Sequence, residues 1–269
     1  MSGGAGSPVR NRPELGDPAR VVRTVFGCAP DEVSERVVVT PFIPLKNFRR
    51  HVDGPVTELA PPFFYKGFTA AFSGARVTVV HTGVGPSRVG DCLAFLSLTP
   101  ARRVAFVGAV GGLAPELAIG DWFEPVEAAD GEGFSRYLRE GFDAVVSAAP
   151  RHPVPEAARG AVRRLLEARG FRVRQGSVFT VGSIAAECPG HLRALRRAGY
   201  DAVEMELSAF LAAASHHGLE PAVFTYVSDL PLEKPLWAPL PAEQAAALRA
   251  AYRAAPLLAL EWAASGESP

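Results

Sequence analysis

Two acids, Glu204 and Glu206, flank Met205 in the run Asp201-Ala-Val-Glu-Met-Glu-Leu-Ser-Ala-Phe210, which is otherwise largely apolar. Leu211 to Ala214 continue the apolar run, and the pattern predicts a buried helix beginning near the acids. Carboxylates are almost never fully buried without partners. A buried acid at a helix start needs hydrogen-bond donors, and the hydroxyls of a bound substrate could supply them. The plainer alternative is that Glu204 caps the helix and Glu206 pairs with an arginine. A further acid, Asp229, follows Ser228 directly after the apolar run Pro221 to Val227, which reads as a strand. An Asp in that place also serves simply as a cap or turn former.

Elements that could bring these acids together are legible along the chain. The strand Val77 to Thr82 runs into Gly83-Val84-Gly85-Pro86-Ser87 and an amphipathic segment, Arg88 to Leu98. Strand, glycine turn and helix in that order point backbone N–H groups at an anion. The strand Arg103 to Val107 precedes Gly108 to Gly112, which reads as a second glycine turn. In open α/β sheets ligands gather at the carboxyl ends of strands, so both turns and Asp229 could line one pocket. Further strands are expected at Val37 to Thr40, within Phe63 to Phe72 and near Trp122 to Val126, with one or two more within Phe171 to Val181. Pro41 and Pro44 enforce a loop after the first of these, with Lys46 just beyond.

Helices are expected at Glu156 to Arg169, stopped by Gly170, at His191 to Ala198, and at Ala242 to Ala263. Residues 130–155 read as loop-rich with a short helix near Ser135 to Arg139. The last long helix follows a loop holding four prolines and Trp237. Close spacing of strands without a helix between them argues for a mixed sheet. The expectation is a single α/β domain over 18–269, a central twisted mixed sheet flanked by helices. Residues 1–17, rich in Gly, Ser, Pro and charge, read as a disordered tail.

Composition narrows the function. Lys+Arg and Asp+Glu both total 28 in 269 residues, so the chain is neutral and no nucleic-acid or anionic-membrane partner is expected. Cys28, Cys92 and Cys188 are far apart and odd in number, which fits a reducing cytoplasm and opposes a disulfide framework or zinc cluster. No metal site is expected, because the adjacent His216 and His217 would not face one way on a helix. No apolar run reaches the roughly 18 residues of a membrane span, and the N-terminus has no signal-peptide core.

Four motifs recur in a familiar order: Thr82-Gly-Val-Gly-Pro-Ser87; Val107 to Pro115 with Ile119-Gly-Asp121; Val203-Glu-Met-Glu206; and Val227-Ser-Asp229. Together they resemble the purine nucleoside phosphorylase and uridine phosphorylase superfamily, which includes the methylthioadenosine and S-adenosylhomocysteine nucleosidases. The resemblance spans about Val37 to Asp229 and implies the nucleoside phosphorylase fold. It implies that Glu206 binds the ribose hydroxyls, that Met205 packs on the sugar, and that Glu204 supports them. Asp229, beside Ser228, would be the general acid toward a purine. Gly83, Ala109 and Gly111 fall in the motifs that line the substrate, and the base-stacking residue falls near Phe179 to Ile184, with Phe179 the candidate.

The chemistry suits those roles. Breaking an N-glycosidic bond builds positive charge on the sugar and negative charge on the base, which a carboxylate and a proton donor answer. The resemblance further implies a small nucleoside as partner, no cofactor except phosphate as a candidate co-substrate, and a homo-oligomer, dimer or hexamer. Phe63, Phe64, Tyr65 and Phe68, or the loop with Trp237, would lie at its interface or in the core.

The departures are as informative. Phosphorylases carry an Arg just before the second glycine motif and a Ser or Thr within it, where this chain has Phe106 and Ala109. Their first loop, Gly-Asp-Pro-Leu-Arg, is matched here by Phe42-Ile-Pro-Leu-Lys46. Lys46 and Arg88 are therefore the candidate anion contacts. Nucleosidases place a Glu in that first loop, and Pro41 to Asn47 contains no acid. Two readings stand: cleavage or exchange of the N-glycosidic bond of a purine-type nucleoside, acceptor undecided, or a nucleoside- or nucleotide-binding protein that keeps the fold without turnover.

Overall fold

β-Branched side chains are stiff at χ1 and favour extended chain, and the valine-rich runs of this sequence form neighbouring parallel strands. The computed structural model describes residues 11–59 and 64–265. In order the elements are α1 (Pro18–Phe26), β1 (Arg36–Thr40), α2 (Lys46–Arg49), β2 (Asp53–Leu59), β3 (Lys66–Phe72), β4 (Ala75–His81), α3 (Pro86–Leu96) and β5 (Arg103–Gly112). There follow β6 (Trp122–Gly131), α4 (Phe134–Glu140), α5 (Phe142–Ser147), β7 (Arg151–Pro153), α6 (Glu156–Glu167), β8 (Val173–Val181) and α7 (Pro189–Arg197). The chain closes with β9 (Ala202–Glu204), α8 (Leu207–His217), β10 (Glu220–Asp229) and α9 (Ala242–Ala264).

The ten strands among the described residues belong to one mixed sheet. β5 organises it. Along one edge it pairs in parallel with β10, and along the other it pairs first with β1 and then, at Gly111 and Gly112, with β9. Strands β5, β10, β6, β8 and β9 thereby close into a ring, while β1, β4, β3 and β2 extend from it as an open wing. Side chains alternate across the sheet. Val37, Val39, Val104 and Phe106 pack with α1, α3 and α8, whereas Val38, Ala105 and Val107 pack with α6 and α9. Helices on both faces bury the sheet, as expected for an α/β domain.

Several expectations need correction. Gly108 to Gly112 is not a turn but the second half of β5, with no positive φ among its glycines. Glycine is required at Gly111 for closeness of approach: an added Cβ would lie 2.8 Å from Pro231 Cγ and 3.2 Å from Val203 Cγ1. The short helix expected near Ser135 to Arg139 is α4, but α5 and β7 also occupy residues 130–155 where loop was expected; Phe171 to Val181, read as one or two strands, contributes one. β9 falls inside the stretch read as the approach to a helix. Tyr65 and Phe68 are core, whereas Phe64 is exposed.

Phe63 and residues 1–10 of the expected tail lie outside the described residues. The remainder, 11–17, has no helix or strand, yet His217 Nδ1 donates to the Asn11 carbonyl at 2.6 Å and Asp17 caps α1.

The Gly111 contact makes a prediction. Gly111→Ala overpacks the junction of β5, β9 and the segment after β10, and is expected to cost about 1–3 kcal/mol. Thermal unfolding should show a midpoint lower by roughly 2–4 °C per kcal/mol. An unchanged midpoint would show that the close approach is not required.

Candidate active site

Glu206 stands at the N-terminus of α8 and is 6% exposed. Its Oε1 accepts a hydrogen bond from the Gly85 N–H at 2.7 Å. Gly85 has φ 117°, a conformation a side chain would strain, and that conformation belongs to the turn that brings this N–H to the acid. Glu204, 5% exposed at the end of β9, is differently placed. Its Oε2 accepts from the backbone N–H groups of Glu206 and Leu207 at 2.6 and 2.7 Å, and its Oε1 from the Thr180 hydroxyl. Glu204 therefore caps α8, and Thr180, whose Oγ1 accepts from Ser208 N–H, fixes it from β8. Among the described residues no arginine pairs with Glu206.

Asp229 ends β10 and is 7% exposed. The pairing of β10 with β5 shifts register there, leaving Ser228 unmatched between Val227 and Asp229. The Ser228 hydroxyl donates to Asp229 Oδ1 at 2.7 Å, and the Leu236 amide also bonds the carboxyl. Those donors hold Asp229 down, but burial outweighs them and raises its pKa.

Both acids line one cavity of about 560 Å³, within the range of small-molecule sites. Met205, Glu204, Ser228, Ala109 and Gly111 line it too. Its walls are otherwise mainly apolar: Phe42, Val84, Ile184, Pro231, Leu236, Trp237 and Leu248. Tyr226 and Tyr252 face it as well, the latter accepting a hydrogen bond from Asn47 Nδ2 at 2.9 Å.

Two further lining residues carry charge, Glu187 and Arg249. Glu187 follows the short 3₁₀ turn Ile184–Ala186 and is pushed up to about 7 by burial, then by Asp229 and Glu206. Arg249, on the exposed side of α9, is the single basic residue lining the cavity among the described residues. Neither was singled out from sequence. An acid after a short turn and an arginine within a long helix carry no local pattern that marks a site.

Other candidates lie elsewhere. Phe179 is fully buried, packed on Tyr200 and Phe142, and does not reach the cavity. Alternation along β8 turns it inward, and Ile184, beyond the strand end, takes the wall instead. Lys46 is exposed and off the cavity, because Asn47 and Phe48 occupy the inward positions of α2. Arg88 Nε donates to the Thr82 carbonyl at 2.8 Å and its Nη2 to the Phe64 carbonyl at 2.6 Å, with the guanidinium over Tyr65. It braces the glycine turn and does not line the cavity. Gly83 lies outside it as well, its neighbour Val84 lining the wall. Phe106 is core.

Solved structures share this architecture. Uridine phosphorylase from Vibrio fischeri ES114 superposes with TM-score 0.72 at 20% identity, covering 89% of this chain and 97% of that one. The 5′-methylthioadenosine/S-adenosylhomocysteine nucleosidase of Neisseria meningitidis, solved with methylthio-immucillin-A, gives 0.64 at 17% identity over 84% and 95%. In sequence, the DeoD-type purine nucleoside phosphorylase of Roseobacter denitrificans is 27% identical over 209 residues, 76% of this chain and 86% of that protein. Residues 37–259 match the phosphorylase superfamily, and the chain belongs to it.

The buried acids give the fold a definite pH dependence. Burial, with Asp229 and Glu206 nearby, pushes Glu187 up to about 7 from the ordinary 4.5, so the folded state binds its proton more tightly. The stability it contributes is complete below pH 4.5 and is lost as pH rises through about 7. Asp229 and the Glu204–Glu206 pair, raised by burial, act with the same sign. Glu187→Gln should therefore lose less thermal stability than the parent between about pH 5 and pH 8. Equal slopes would contradict the placement of Glu187.

The cap on α8 is testable separately. Glu204→Gln turns one acceptor oxygen into a donor facing N–H or O–H groups, and should lower stability by about 1–3 kcal/mol in denaturant titrations.

Proposed function

We propose that this chain cleaves the N-glycosidic bond of a purine-type nucleoside, with water as the acceptor. The observation that carries the reading is the opening of two buried acids, Glu206 and Asp229, into one nucleoside-sized cavity. Glu206 keeps a single internal donor, the Gly85 N–H, among the described residues. The rest of its accepting capacity is available to ribose hydroxyls, and its charge offsets the oxocarbenium character that develops as the bond lengthens. The bonding pair leaves with the base, and Asp229 delivers a proton to it. Met205 supplies an apolar surface beside the sugar.

The kinds of nucleoside named for the relatives, purine nucleosides, uridine and methylthioadenosine among them, support the class of bond. Two buried acids, one suited to protonating a purine, favour the purine over uridine. Water is favoured over phosphate by the cations. Lys46 points away, Arg88 is engaged on two carbonyls, and Phe106 and Ala109 offer no donor side chain. Phosphate recognition calls for guanidinium or hydroxyl donors around the anion. The thiols of Cys28, Cys92 and Cys188 are unpaired, which suits a reducing cytoplasm.

Assembly follows from the rim. Phe42, Val84, Ile184, Leu236 and Trp237, the last 75% exposed, surround the mouth of the cavity, and a second copy of the chain would cover them. Sedimentation should find a dimer or larger, and a monomer at micromolar concentration would remove this part of the reading.

One observation favours the alternative of binding without turnover: the first loop, Pro41 to Asn47, presents Phe42 to the cavity and no acid to activate water. Released base, measured on a nucleoside panel with and without phosphate, separates the readings. The proposal expects release that does not depend on phosphate. Asp229→Asn should lower kcat by about 10²-fold or more with the fold intact. Binding without release under either condition would establish the alternative.

A further inference from the structure

We infer that Tyr226, Arg249 and Tyr252 form an anion subsite on the α9 side of the cavity, which takes a single carboxylate carried on the 5′ side of the nucleoside. The inference rests on the proposed reading of the cavity, in which Glu206 takes the 2′- and 3′-hydroxyls and Asp229 faces the base. All three residues line that cavity, and each brings a donor for which the fold supplies no acceptor.

Tyr226 is 2% exposed, and among the described residues its hydroxyl has no hydrogen-bond partner. A buried hydroxyl left alone is costly, and a ligand oxygen in the cavity would satisfy it. Burial, and then Tyr252 beside it, raise its pKa, so it keeps a proton to donate. Tyr252 is oriented from behind. Arg50 Nη2 donates to Asn47 Oδ1, which turns Asn47 Nδ2 toward the Tyr252 hydroxyl at 2.9 Å. That hydroxyl therefore accepts from Asn47, and its own hydrogen has no acceptor among the described residues. Arg249 stands three residues before Tyr252 on α9, and residues so spaced share a helix face. Four acids, Glu187, Glu204, Glu206 and Asp229, line the same cavity, yet among the described residues the Arg249 guanidinium has no ion pair or hydrogen bond.

Donors and acids are thus set apart. In the pairing of β10 with β5, Tyr226 lies opposite Ala109 and Asp229 opposite Gly111. The tyrosine is about 10 Å back along β10 from the acid that faces the base. A ligand that satisfies both regions presents hydroxyls and a base to one and an anion to the other. With the 2′- and 3′-hydroxyls on Glu206 and the base at Asp229, the ribose position left over is 5′.

Charge selects a carboxylate. One guanidinium balances one negative charge, and two hydroxyls complete the directed donors around it. A phosphoryl group brings close to two charges at neutral pH into a chamber that already holds four acids, and one cation does not offset both. Leu248, beside Arg249, and the two tyrosine rings give apolar surface to the carbons that lead to the carboxylate.

Calorimetry on the full chain tests this without requiring turnover. The probes are adenosine, 5′-thioether derivatives ending in a carboxylate on carbon chains of graded length, the matching primary amides, and adenosine 5′-phosphate. The best carboxylate should bind about tenfold or more tighter than its amide, and tighter than the phosphate. Arg249→Gln should bring carboxylate and amide to within about twofold of each other, and Tyr252→Phe should cut the preference by about three- to tenfold. Arg249 is exposed and unpaired, so its variant keeps the fold, which thermal melts verify.

Equal affinity for carboxylate and amide in the parent, a preference that survives Arg249→Gln, or no binding by any probe overturns the inference. A tighter fit for adenosine 5′-phosphate, or adenosine binding that inorganic phosphate strengthens in the parent and not in Arg249→Gln, overturns it in favour of a phosphate site. Base release from the same probes keeps the two readings apart. A carboxylate preference without release removes the cleavage reading and leaves the subsite, whereas release from adenosine without that preference does the reverse.

Discussion

The structure depends on what it takes to bury Glu204 and Glu206, two acids set two residues apart in apolar surroundings. A carboxylate removed from water must recover its lost hydration from donors. For Glu204 much of that recovery comes from two backbone N–H groups and a hydroxyl that converge on it, and they fix the start of α8. For Glu206 it is incomplete, with one N–H from Gly85. That difference separates the two acids. The satisfied one is architecture, and the unsatisfied one faces the cavity with capacity to spare.

Geometry around β5 makes the cavity. Because β5 runs straight through Gly108 to Gly112, its second half pairs with β9 on one edge while β10 follows it on the other. Ala109 and Gly111 of β5, Glu204 of β9 and Asp229 of β10 consequently meet at one end of the ring. A side chain at Gly111 would collide with Pro231 and Val203, so the backbone itself forms part of the floor. The register shift at Ser228 then sets Asp229 against Gly111.

The cations have been turned to other uses. Arg88 braces the turn that presents Gly85, Arg159 and Arg163 converge on the buried Glu124 away from the site, and Lys46 faces solvent. What remains at the cavity is Arg249 against four acids. A chamber with that balance suits a leaving group that must gain a proton, and it suits a phosphate dianion poorly.

Local pattern determined the elements: β-branched runs became strands, a glycine-rich turn led into α3, and the acids marked the head of α8. It also carried the family, because Val203-Glu-Met-Glu206 and Val227-Ser-Asp229 are short, contiguous and rich in unusual choices. Gly108 to Gly112 misled, since glycine marks a turn and a close strand contact equally well and only the neighbours, Pro231 and Val203, tell them apart. Phe179 misled for a related reason: its face on β8 is set by register against β6 and β9. Glu187 and Arg249 were illegible because nothing adjacent in sequence makes them special. Their significance comes from which groups share their cavity, and only the tertiary structure decides which distant carboxyls and guanidinium stand together.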